Sequence, residues 1–197
     1  MAYPTVSGPY GLLPINLIGG RVFAGATRQV PITSGSATAI YYGDVVELND
    51  TGTLSRSTGT DTATPLGVFL GCAYTDATMG FINRQYYPGN ISANNIVGYV
   101  CDDPDALFKV AVVSSGTTIG GVTRSAVGNN AVLVLNGGST ITGNSYTAID
   151  DTTGTDTNFP IRIVDVVPET VNASGSYTEV IVKWNAGDQQ YDNPTGV

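Results

Sequence analysis

The chain has 197 residues, a formal charge of −8 from 8 basic and 16 acidic side chains, and no histidine. That length suits one domain, with or without an arm, burying about 70% of the surface its unfolded chain would expose. Nucleic acid and anionic membrane are excluded as natural partners, since both attract proteins through clustered Lys and Arg, and here the few basic residues lie far apart.

Hydrophobic residues make up 42% and charged ones only 12%, with 25 Gly and 10 Pro, a balance suited to many short strands joined by turns. The reading is all-β, a small β-barrel, tulip-like or sandwich core. No apolar run approaches the ~18 residues a membrane helix needs. The N-terminus has no basic segment ahead of an apolar one and is broken by Pro4, Pro9 and Pro14, which argues against a secretory signal. Cys72 and Cys101 are then expected as buried free thiols.

Residues 1–35 read as an extended N-terminal arm. Leu13, Ile15 and Leu17 alternate, but Pro14 cannot donate to a ladder and bars the segment from a central strand. Such an arm needs a surface, either its own barrel or a partner, and its contact residues are Tyr10, Leu12, Leu13, Pro14, Ile15, Leu17 and Ile18.

Residues 36–185 read as the β domain, its centre the run from Ala39 to Asp76. Asn49-Asp50-Thr51-Gly52 supplies the positive-φ positions of a turn, so Val45–Leu48 folds back onto residues 53–56. In the next strand Leu66, Val68, Leu70, Cys72 and Tyr74 share one parity and predict one packed face. Gly67, Gly71 and Ala73 fill the other and admit a neighbouring backbone.

Phe81, Tyr86 and Tyr87 are candidate interface aromatics. Core or subunit contact is favoured over a sugar platform, because no acidic or amide pair stands beside them in the sequence. Asp103 before Pro104 reads as the cap of a corner rather than a cation ligand, and the cluster Asp102, Asp103, Asp105 lacks calcium-loop spacing. The hydrophilic stretch near 150 is expected as a long hairpin tip. Ile161–Val167 pairs with Tyr177–Trp184 across Asn172-Ala-Ser-Gly, with Val180, Val182 and Trp184 on one face. Residues 186–197 form a polar C-terminal tail, read as a second arm.

Without histidine, the usual triads and His-based metal centres are missing, and nothing in the sequence pairs two carboxylates for acid–base work. The expectation is a protein with no catalytic residue, no metal and no cofactor.

The order Arg28-x-Val-x-Ile-x-Ser-Gly, Tyr42-Gly-Asp-Val-Val-x-Leu, Thr51-Gly and Thr64-Pro-Leu-Gly-Val-Phe-x-Gly resembles the head-decoration, or capsid cement, proteins of tailed bacteriophages. The match covers residues 28–76. The flavour of the whole chain, from Tyr10-Gly-Leu-Leu-Pro to Val182-Lys-Trp-Asn, is similar to structural proteins of marine podovirus-type phages. The resemblance implies a structural virion protein made in the host cytoplasm and bound to the capsid exterior. Its partner would be the major capsid protein, at capsomer junctions, commonly as a homotrimer. A tail or adaptor subunit and a carbohydrate-binding β module are the alternatives.

Overall fold

The computed structural model describes residues 6–195, so the first five residues of the expected arm and the last two of the tail lie outside the described residues. The fold is all-β, with no α-helix among the described residues. The strands are β1 (Leu13–Leu17), β2 (Arg28–Pro31), β3 (Val45–Leu48), β4 (Leu54–Arg56), β5 (Gly67–Asp76), β6 (Gly80–Arg84) and β7 (Val97–Cys101). They continue as β8 (Ala106–Ser115), β9 (Thr118–Ile119), β10 (Asn130–Val134), β11 (Ala148–Gly154), β12 (Ile161–Val166) and β13 (Glu179–Trp184).

Five of these close a barrel in the cyclic order β8-β11-β10-β12-β13, since β13 pairs back onto β8 through Val180↔Val110 and Val182↔Phe108. Only the β8–β11 contact is parallel. Alternation fills the interior: Phe108, Val110 and Val112 point in from β8, and Val180, Val182 and Trp184 from β13. The Phe108 and Trp184 rings pack tilted, with centroids 5.2 Å apart. Closure leaves β13 no free edge, and its pairing with β12 follows the expected hairpin, where Asn172 Oδ1 accepts from the Ser174 and Ser176 amides.

A second sheet runs β2-β7-β5-β3-β4, with β6 on the far half of β5. One of its faces, carrying Val45, Val68 and Cys101, joins the barrel core. The other, carrying Val46, Phe69 and Val100, forms a separate core beneath Ile32, Ile40, Tyr87 and Ile96. The β3–β4 hairpin turns as its sequence predicts: Asn49 Oδ1 accepts from the Thr51 and Thr53 amides, and Gly52 has φ +72°.

Three expectations are corrected. The closed barrel is built from residues 106–184, and the 39–76 run instead supplies the heart of the second sheet. Leu66, Val68, Leu70, Cys72 and Tyr74 do not share a face. A register shift between Phe69 and Gly71, with Gly71 at φ +139°, switches the parity, so Val68 and Leu70 reach the barrel core while Cys72 and Tyr74 join the other; Leu66, just ahead of β5, also lies in that other core. The stretch near 150 is strand β11 rather than a hairpin tip. Ala148 and Ile149 are fully buried, and the pairing jumps from Leu133↔Ile149 to Ala131↔Thr153, which lets the polar residues between bulge out of the wall.

The small residues of β5 admit a neighbouring backbone as expected. A Cβ on Gly67 would lie 2.1 Å from the Cys101 carbonyl oxygen, too close to be relieved by a side-chain movement. Gly67→Ala should therefore force β5 away from β7 and cost about 1–3 kcal/mol in denaturant melts; an unchanged midpoint would contradict this packing. Cys72 and Cys101 are free and buried, one in each core, and burial pushes both thiols up to about 11.

The segment read as the N-terminal arm supplies β1, which lies antiparallel on the first half of β8, and β2, an edge of the second sheet. Between them residues 18–27 form a loop that is exposed apart from half-buried Phe23. Pro14 is tolerated because β1 is the outer strand on β8 and its other side meets only the isolated Asn16↔Val22 bridge, away from Pro14.

The tail is docked. Gln189 is fully buried and its amide nitrogen donates to the carbonyls of Leu66 (2.8 Å) and Asp102 (3.4 Å). The Gln190 side chain acts as an extra strand residue on β3: its Oε1 accepts from the Leu48 amide (3.0 Å) and its Nε2 donates to the Leu48 carbonyl (3.2 Å). Tyr191 finishes the clasp by donating to Asp102 (2.8 Å) under the Arg28 guanidinium, itself paired with Asp102 at 3.0 Å.

Asp188, at the root of this clasp, has one carboxylate oxygen sealed from solvent without a partner, and burial pushes its carboxyl up to about 6. Because the folded value is raised, its stabilising contribution is complete below the ordinary 3.8 and is lost as pH rises through about 6. Asp188→Asn should thus raise the melting midpoint near neutral pH and flatten its pH dependence between about 4 and 6. Parallel melts of the two proteins across that window check this, and identical profiles would refute it.

Candidate functional site

The seven arm residues proposed as contacts divide sharply. Leu12 is fully buried in the barrel core and Leu17 packs against it, so both are spent on the protein's own interior. Tyr10 is half-buried, its hydroxyl donating to Glu179, while Lys109 lies 3.3 Å from the same carboxylate and over the Tyr10 ring. Burial, then the Glu179 hydrogen bond, hold the Tyr10 phenol far above its ordinary range. Leu13, Pro14 and Ile15 are half-buried on β1, and Ile18 emerges at 38% exposure.

The three aromatics divide too. Phe81 is 71% exposed beside the β5–β6 turn, and Tyr87 is fully buried in the second core with its hydroxyl donating to the Ser36 carbonyl. Tyr86 is half-buried and stacks on Tyr41, centroids 5.4 Å apart and planes 9° from parallel. Val22 (77% exposed), Met79 (66%) and Ile141 (96%) are exposed apolar residues that the sequence reading passed over. For Met79 and Ile141 the signal was present, since Met79 stands beside Gly80 and Ile141 between two threonines; Val22, followed by Phe23 and Ala24, carried no such signal.

Asp44 and the acidic knot of Asp102, Asp103 and Asp105 are occupied by structural work. Asp44, wholly buried, accepts from the Tyr41 amide (2.8 Å), Ser145 Oγ (2.5 Å) and Thr147 Oγ1 (3.1 Å). Arg56 Nε lies 3.1 Å from it, off the line of a hydrogen bond, so their attraction is Coulombic, and another guanidinium nitrogen donates to the Asn136 carbonyl. Burial raises the Asp44 carboxyl above its ordinary value, with Arg56 the largest opposing influence. In the acidic knot Asp103 caps the corner by accepting from the Asp105 amide (2.8 Å), Asp102 holds Arg28 and Tyr191, and Asp105 pairs with Arg21 at 3.0 Å. No group of three metal-binding side chains converges among the described residues.

The exposed aliphatic residues, together with Phe81, lie at tips: Ile18 and Val22 on the β1–β2 loop, Met79 and Phe81 at the β5–β6 hairpin, and Ile141 on the loop leading to Asn144; Tyr146 and Tyr191 are exposed elsewhere. Comparison with family models, curated proteins and solved structures finds no match to this chain.

Proposed function

We propose that this chain is a non-enzymatic structural protein of a tailed-phage virion that binds the capsid exterior and cements capsomer junctions, as a homotrimer on the major capsid protein. The observation that carries the reading is the placement of Val22, Met79 and Phe81, each more than half exposed, on the β1–β2 loop and at the β5–β6 hairpin, outside two buried cores. A static adhesive needs such a body, because apolar anchors presented by a preorganised scaffold lose little entropy on docking. The resemblance over residues 28–76 supplies the kind of partner, and the charge of −8 turns the surface away from nucleic acid. In this reading the capsid contact passes from the buried Leu12 and Leu17 to the loop that follows β1 and to the β5–β6 hairpin.

The test is co-sedimentation with purified phage heads stripped of decoration, followed by cryo-electron microscopy of the loaded particles. Threefold density at capsomer junctions, lost with Val22→Asp and Phe81→Asp, is the expected result. Absence of binding to heads, or density confined to the tail, would overturn it.

A further inference from the structure

Tyrosines alone did not make a sugar platform in the sequence, because no amide pair stood beside them. The fold brings one there. Gln85, next to Tyr86, donates from Nε2 to Asn144 Oδ1 at 2.6 Å, across 59 positions of chain. That bond uses one donor and one lone pair, leaving the Gln85 carbonyl as an acceptor and the Asn144 amide as a donor, side by side.

Asn144 and Tyr146 flank Ser145, whose hydroxyl points inward to Asp44, so in this extended segment both face outward, about 7 Å apart. Tyr146 is 38% exposed and walls a cleft of about 330 Å³ with Ser7, Gly8, Pro9 and Thr117. A pyranose presents an apolar C–H face and a rim of hydroxyls that both donate and accept. The cleft offers an aromatic ring and a proline for the first and the Ser7 and Thr117 hydroxyls for the second, and the Gln85–Asn144 amide pair outside it adds further donors and acceptors. No charged side chain lines it, which selects for an uncharged ligand.

The platform is rigid before anything binds. Ser139 Oγ accepts from the amides of Ile141 and Thr142, and the Gly143 amide donates to the Ser139 carbonyl at 2.7 Å. Gly138 lies so close to the Tyr41 ring that a Cβ would sit 2.3 Å from it, which clamps the Tyr41–Tyr86 stack in place.

We propose that the face running from the Tyr146 cleft through Asn144 and Gln85 to Tyr86 binds a neutral oligosaccharide. The site is separate from the apolar tips assigned to the capsid, and its test uses the isolated protein, so its failure would leave the capsid reading untouched.

Saturation-transfer NMR with short linear gluco-, galacto- and manno-oligosaccharides at millimolar concentration is the direct experiment. At least one series should bind, and Tyr146→Ala and Gln85→Ala should each weaken it by about tenfold or more, equivalent to about 1.4 kcal/mol. Both variants should melt like the parent, and Phe81→Ala should bind as the parent does. No transfer to any neutral probe, equal binding by both variants, or binding confined to sulfated or carboxylated sugars would overturn the assignment.

Discussion

Deleting residues 1–20 should unfold the barrel or lower its midpoint steeply, rather than leave an intact body stripped of an arm. The deletion removes Leu12, fully buried in the barrel core, and truncating one such leucine alone costs about 2–5 kcal/mol. It also removes β1 from β8, Leu17 from the core and the Tyr10 hydroxyl from Glu179, leaving that nearly buried carboxylate with Lys109. Against a total stability of about 5–15 kcal/mol these losses are decisive. Circular dichroism and urea melts on the deletion give the answer, and a truncated protein with parental stability would show that the segment only lies on the surface. For head binding, the informative variants are therefore Ile18→Asp and Val22→Asp, which touch exposed positions and spare the core.

Arg56→Ala should cost about 3–5 kcal/mol, because it strands the wholly buried Asp44 carboxylate without a cation. The sign of its pH dependence follows from the raised Asp44 value: the protonated form is favoured in the folded protein, so the group's stabilising contribution is present at low pH and lost as pH rises through its folded value. Removing Arg56 takes away the largest influence lowering that value, so the defect should shrink on acidification. The double variant Asp44→Asn with Arg56→Ala should be less damaged than the sum of the two single changes, since it removes the stranded charge along with its partner. Urea melts of the four proteins at neutral and acidic pH measure both effects; additive losses with no pH dependence would mean that the pair does not act as a unit.

Local chemistry was legible in the sequence wherever a few neighbouring residues dictate it. The Asn49–Gly52 turn, the Asp103 corner, the β12–β13 hairpin and the inward set Val180, Val182 and Trp184 all follow from side-chain type and spacing. Parity failed where a bulge intervened. A run that alternates through Gly71 looks like one face, and only the backbone at φ +139° reveals that it serves two cores. The docking of the tail was not legible for a different reason. Gln189 and Gln190 look solvated because they are polar, yet an amide side chain can satisfy backbone groups as another strand would, and here it does. The Gln85–Asn144 pair was invisible because its members are far apart in the chain.

Closure of the barrel by β13 also sets an order of events during synthesis. β8 emerges from the ribosome long before its partner β13, and Tyr10 waits 169 positions for Glu179. Until then β8 carries Phe108, Val110 and Val112 on a wall with an open side, and the nascent chain depends on its neighbours or on chaperones to keep that side from pairing wrongly. Contacts so distant in sequence also make for slow folding, because loop-closure entropy is spent before the pairing rewards it. Arrest of translation just before residue 179 should therefore yield a ribosome-bound, protease-sensitive chain, and release past Trp184 a resistant one.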